Sequence, residues 1–173
     1  MTRTLIAALA APLALLATAS AADAHVVLTQ TEAAPGSYFA TALRIGHGCD
    51  GSATTRLRVE IPAEVPQARP QPKPGWALEI VREGDGPKAR VSALVWRGRL
   101  PDEQFDEFGL LMKLPDRAGV LHFKVIQTCE TGEAQWTEVP GAGDPPGALT
   151  HPAPTLTLVP AAGSVGEDAH HHH

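Results

Sequence analysis

Thr54-Thr55-Arg56-Leu57-Arg58-Val59-Glu60-Ile61 alternates polar with apolar side chains. Successive side chains of an extended chain point to opposite faces, so a period of two describes a strand with one wet face and one face against a core. Pro62 stops it, because proline has no N–H to give to a ladder. The same signals recur on both sides. Residues 25–29 open a strand, Pro35-Gly36-Ser37 is a turn, and residues 38–45 carry aromatic and β-branched side chains interrupted by Arg44. Residues 76–82 and 89–96 read as a hairpin around Glu83-Gly84-Asp85-Gly86-Pro87. Residues 108–114 and 120–128 read as a second pair around Pro115-Asp116-Arg117-Ala118-Gly119. A short strand at 135–139 and a last one at 154–159 follow, and only residues 102–108 hint at a helical turn. Prolines at 62, 66, 70, 72 and 74 make residues 62–75 an extended, semi-rigid connection. A second proline- and glycine-rich stretch covers 140–154, and both are expected to wrap the body of the fold. No internal repeat is present. Short strands separated by turn signals predict an all-β fold, a single-domain antiparallel β-sandwich of immunoglobulin or cupredoxin type spanning residues 25–160.

Residues 1–24 read as a secretory signal peptide: Arg3, an uncharged apolar run over 5–17, then Ala22-Asp23-Ala24 as a small-residue cleavage pattern. The 173-residue chain has a formal net charge of −5, and cleavage removes one arginine and one aspartate, leaving that balance unchanged. A mildly acidic chain argues against nucleic acid or an anionic membrane as partner. No second apolar run approaches the roughly 18 residues of a membrane span, so the mature chain is expected to be soluble and periplasmic. The 2 cysteines, Cys49 and Cys129, predict a disulfide in an oxidising compartment, with a pair of thiolates holding Cu(I) as the alternative. Residues 161–173 read as a flexible tail; its four terminal histidines are either a purification tag or a native, weak metal-collecting segment.

Cleavage after Ala24 makes His25 the N-terminus. A terminal histidine offers an α-amine and an imidazole on one residue. The amine titrates near neutrality, with an ordinary pKa of roughly 7.7, so a metal can displace its proton. Amine and ring Nδ1 can close one chelate ring, and two nitrogen donors favour Cu(II), which accepts tetragonal N/O geometry. Gly46-His47-Gly48-Cys49-Asp50-Gly51 is a second source of ligands. Glycines allow close approach or sharp turning, and a disulfide at Cys49 would pin the loop presenting His47 and Asp50. The alternative is a glycine-rich turn with Asp50 in a turn role. Trp136 is either a core residue or a wall that shields the metal from water. His122 is expected in the core or on the surface rather than on a metal, and His151, in a Thr-His-Pro loop, is left unassigned. Serine-hydrolase, zincin and phosphate-loop signatures are absent, and no enzymatic activity is expected.

The His25-Val-Val-Leu start, Pro35-Gly-Ser-Tyr38, His47-Gly-Cys-Asp-Gly-Ser, Pro74-Gly-Trp76, Trp96-Arg-Gly-Arg-Leu-Pro101, Phe105-Asp-Glu-Phe108, Trp136 and His151-Pro-Ala-Pro154 together resemble the YcnI-like copper-binding proteins, exported bacterial β-sandwich domains, over about residues 25–159. The resemblance implies a mono-histidine brace. In it the N-terminal histidine holds Cu(II) through amine and imidazole, a loop carboxylate joins it, and a tryptophan lies beside the metal. His25 and Trp136 match by position. Where the Gram-positive pattern carries a glutamate, this chain has residues 46–51, with Asp50 or His47 as the replacement. Many Gram-positive members also carry a C-terminal membrane anchor, for which no apolar run stands here, in keeping with the soluble form expected.

The resulting expectation is a periplasmic Cu(II)-binding protein that stores, buffers or delivers copper. Its partners would be the copper ion, and other periplasmic copper-transfer proteins or a membrane copper importer. Two alternatives remain at this point. One is a copper-dependent oxidase or monooxygenase built on the brace; the other is a non-metal adhesion or assembly module using the sheet edges.

Overall fold

In the computed structural model, residues 25–145 and 147–160 are described; the expected signal peptide and the histidine-ending tail lie outside them. Among the described residues the strands are β1 (Val27–Leu28), β2 (Glu32–Ala33), β3 (Tyr38–Ile45), β4 (Thr54–Glu60), β5 (Gln67–Pro70), β6 (Ala77–Glu83), β7 (Arg90–Leu100), β8 (Asp106–Lys113), β9 (Gly119–His122), β10 (Val125–Cys129), β11 (Glu133–Trp136) and β12 (Thr155–Leu158). They form a four-stranded sheet in the order β1-β3-β8-β5, a five-stranded sheet β11-β10-β4-β7-β6, and a small sheet β2-β12-β9. Every pairing is antiparallel except β2 with β12.

The alternation of β4 is realised as expected: Leu57 and Val59 are fully buried, while Arg56 and Arg58 keep partial access to water. Opposite them the four-stranded sheet contributes Leu43 and Ile45 from β3 and Phe108, Leu110 and Met112 from β8. Trp96 of β7 meets Phe108 edge-on at 5.5 Å, and Trp76 meets the same ring at 4.9 Å, so one aromatic cluster holds the two large sheets together. Aromatic edge-to-face contacts add to the large apolar area these rings bury.

Three sequence expectations are corrected. Residues 120–128 are not one strand, and they do not pair with 108–114. Both flanks of β8 are taken, by β3 from Tyr38↔Lys113 to Ile45↔Asp106 and by β5 from Gln67 to Pro70. The 115–118 turn therefore carries the chain to a different sheet. Phe123 then breaks the run. Its ring is fully buried and its N–H donates to the carbonyl of Pro154 at 2.8 Å, so β9 pairs with β12 whereas β10 pairs with β4 and β11. The helical turn expected over 102–108 is absent. Gln104 N–H closes a single turn on the Pro101 carbonyl at 3.1 Å, and the chain enters β8 at Asp106. Finally, the proline-rich connection includes a strand, β5, at the edge of its sheet, where missing N–H groups do not interrupt a ladder.

Candidate metal centre

His25 directly precedes Val26 and Leu28, both buried, and the two-residue β1 fastens this segment to β3 through Val27↔Arg44 and Leu28↔Leu43. Thr29 N–H donates to the Ala42 carbonyl at 2.9 Å, extending the hold. The segment is thus anchored by its apolar side chains, and the histidine is fixed at its start. Its ring packs on the Trp136 indole with centroids 5.4 Å apart and planes tilted by 58°.

Trp136 ends β11, opposite Val125, and is only 7 % exposed. Its indole N–H donates to Gln127 Oε1 at 3.2 Å. Gln127 is 2 % exposed, and its amide nitrogen donates to the His47 carbonyl and to Thr54 Oγ1, both at 2.8 Å. A primary amide has two N–H donors, and here both are spent. A buried glutamine with every such function paired is a rigid connector, since each lost bond would leave a desolvated group behind. It ties the Trp136 indole to the loop that carries His47.

That loop is pinned at several points. Cys49 and Cys129 form the expected disulfide. Cys49 and Ser52 exchange backbone hydrogen bonds of 3.0 and 2.9 Å around Asp50 (φ 49°) and Gly51 (φ 81°). Two consecutive left-handed residues are the signature of a tight hairpin turn, which Asp-Gly favours. Asp50 thus sits in this turn, with its side chain exposed at the tip. Gly48 is required sterically: a Cβ there would overlap the Ser52 carbonyl oxygen. Gly48 N–H donates to Asp102 at 2.9 Å, so the 101–104 turn also holds this loop. His47 Nδ1 lies 2.5 Å from the Gly48 carbonyl oxygen. A carbonyl only accepts, so Nδ1 is the donor in this contact.

The structure adds a residue the sequence left unassigned. The His151 ring packs on Trp136 at 4.9 Å, again tilted by 58°. Its backbone is held by Glu138: the carboxylate accepts His151 N–H at 2.8 Å, Glu138 N–H donates to the His151 carbonyl at 3.1 Å, and Ala153 N–H donates to the Glu138 carbonyl at 2.8 Å. No local pattern links residue 151 to residue 136; only the return of the 139–150 loop to its own base does. The one available hint was Pro152, which restricts the His151 backbone to extended conformations. His122 stands on β9 opposite Thr155 in the small sheet.

These residues share a surface. A groove of about 550 Å³ is lined by His47, Asp50, Glu133, Trp136, Glu138 and His151 among others. His25 borders a neighbouring apolar pocket of about 350 Å³ with Val26, Leu28, Pro140, Pro152 and Pro154. Trp136 is thus the side chain that His25 touches and that the groove shares. Among the described residues, no three His, Cys, Asp or Glu side chains converge closely enough to hold a metal ion. No helix of the described residues is long and apolar enough to cross a membrane.

Comparison with known proteins adds three findings. The family model described as "Domain of unknown function (DUF1775)" matches residues 25–158. "Copper-binding protein CutI" of Bacillus subtilis (strain 168) is 25 % identical over 134 residues, covering 75 % of this chain and 63 % of that protein. This chain thus spans less than two thirds of the relative's length. A crystal structure of an uncharacterized protein from Nocardia farcinica, with an immunoglobulin-like fold, superposes with a TM-score of 0.63 at 27 % identity, covering 78 % of this chain and 97 % of that one. The sandwich read from strand alternation is accordingly of immunoglobulin-like type.

Proposed function

This chain belongs to the DUF1775 family, the family of the YcnI- and CutI-like copper-binding proteins, and from that premise we propose that it is an exported, periplasmic Cu(II)-binding protein whose metal is held by the processed N-terminal His25. Copper is its cargo, stored, buffered or passed to other periplasmic copper carriers or to a membrane importer, and the protein catalyses no reaction. The observation that carries this reading is the packing of the His25 ring on Trp136, at the start of a strand segment anchored by buried Val26 and Leu28.

The donor set suits the ion. Signal-peptide removal turns the His25 nitrogen into an amine, so one residue supplies two nitrogens in a five-atom reach that no side-chain cluster is needed to complete. Cu(II) stands at the top of the divalent affinity order and takes tetragonal nitrogen and oxygen ligands. The pinned loop, through His47 or Asp50, completes the equatorial set, and the nearly buried Trp136 indole keeps water from one side of the metal. Keeping water away strengthens each remaining electrostatic contact.

The test is calorimetric titration of Cu(II) into the processed protein with His170, His171, His172 and His173 changed to alanine. One tight equivalent is expected. It should vanish in His25→Ala, and equally when one extra residue precedes His25 and removes the amine. Tight binding that survives either change would end the proposal.

A further inference from the structure

We infer that His151 supplies a second imidazole to the copper ion bound at His25. The inference rests on the copper reading above and names a donor for one of the two equatorial positions that His25 leaves open.

Four observations converge on this residue. First, its ring touches the same indole as His25 does, at 4.9 Å against 5.4 Å. The two imidazole centroids can be no further apart than those two contacts laid end to end. Two imidazoles on one ion, with metal–nitrogen bonds of about 2 Å, have centroids about 4.5 Å apart in cis positions and about 6 Å apart in trans positions, both within that limit. The proposal places both rings over the same edge of the indole. Second, the His151 backbone is held by two hydrogen bonds to Glu138, and by the restriction that Pro152 imposes. A fixed backbone lowers the entropy lost when the ring is captured by a metal. Third, among the described residues no hydrogen bond reaches either ring nitrogen of His151. A partly buried imidazole whose nitrogens meet no protein partner can present either one as a ligand. Fourth, the competing histidine is less well placed. His47 commits Nδ1 to the Gly48 carbonyl and reaches Trp136 only through its own carbonyl and Gln127.

A second imidazole changes what the site can do. Amine plus two imidazoles gives three nitrogens, a set that retains copper more strongly than one residue alone.

Pulsed electron paramagnetic resonance counts imidazoles through their remote ring nitrogens. It is to be applied to the Cu(II)-loaded, processed chain with the four tail histidines changed to alanine. At least two coordinated imidazoles are expected in that protein. The count should fall by one in His151→Ala and in His151→Gln, with Kd for Cu(II) rising by at least about 10-fold. A single imidazole before any change at position 151 overturns the inference, independently of whether the variants fold. So does an unchanged count in a folded variant. His25→Ala separates the two levels: persistence of tight binding there sinks the copper reading itself, whereas an unaltered count at position 151 sinks only this inference.

Discussion

Gln127 is the residue whose role is most sharply defined by its surroundings. It lies in β10 between the sheets, on the inward side of an alternating strand where an apolar side chain would be the default. Its amide instead joins the Trp136 indole, the His47 carbonyl and the Thr54 hydroxyl. Replacing it by leucine keeps the volume and strands these groups in a dry interior. Gln127→Leu is therefore expected to destabilise the fold by about 2 kcal/mol or more, since each buried group left unpaired costs about 1–3 kcal/mol. Urea denaturation of the folded variant measures this, and a loss below about 0.5 kcal/mol, the scale of an ordinary surface substitution, would show that the network carries no weight. Gln127 also shows where residue-by-residue reading stops. His25 and Trp136 stand out in the sequence by type and position, while a glutamine inside a strand does not. Its meaning comes from partners drawn from β3's following loop, β4 and β11.

Among the elements, the 46–53 loop presents His47 and Asp50 to the groove, and two kinds of constraint hold it. The disulfide joins it to β10 across a sequence separation of 80. Closing so long a loop limits the unfolded chain, so Cys49→Ser is expected to cost about 4 kcal/mol by the loop-entropy argument while leaving one Cu(II) equivalent bound. Thermal unfolding and titration of the same variant check both halves of the statement. The second constraint is steric. Gly48→Ala would drive a methyl group into the Ser52 carbonyl, so the Cys49–Ser52 exchange must open. This change should cost more than the ordinary loss of about 1 kcal/mol for a point substitution. Protection of the Cys49 and Ser52 amides from hydrogen exchange should fall with it; unaltered protection would contradict the steric argument. The elements also show what a linear pattern can convey. β3 is found at the residues where aromatic and β-branched content placed it, and β4 ends one residue short of the expected boundary. Residues 120–128 carry an equally good strand pattern, yet the chain divides there because Phe123 is drawn into the core and its neighbours pair with different sheets.

For the molecule as a whole, the proposed copper binding would be linked to folding. An ion that binds only the folded chain stabilises it by about 2.7 kcal/mol when free ligand stands at 100 times Kd. Cu(II) should accordingly raise the unfolding midpoint of the processed protein. A chelator should reverse the shift, and a chain with an extra residue before His25 should show none; differential scanning calorimetry distinguishes these outcomes. The stabilisation should shrink as pH falls, because protons compete with copper for the terminal amine. What the sequence determined by itself was everything that depends on a local period or on a single residue's chemistry. This covers the two-residue alternation that makes strands, the turns at glycine and proline, the sandwich that such strands must form, the cysteine pair, and the expectation that processing would expose His25 as a chelating terminus. Tertiary structure alone decided which strands are neighbours, that β8 lies between β3 and β5, and that His151 returns to the indole beside His25. The physical reason is that strand pairing and ring contacts are settled by competition among distant surfaces for one core and a limited number of sheet edges. No window of sequence contains both competitors.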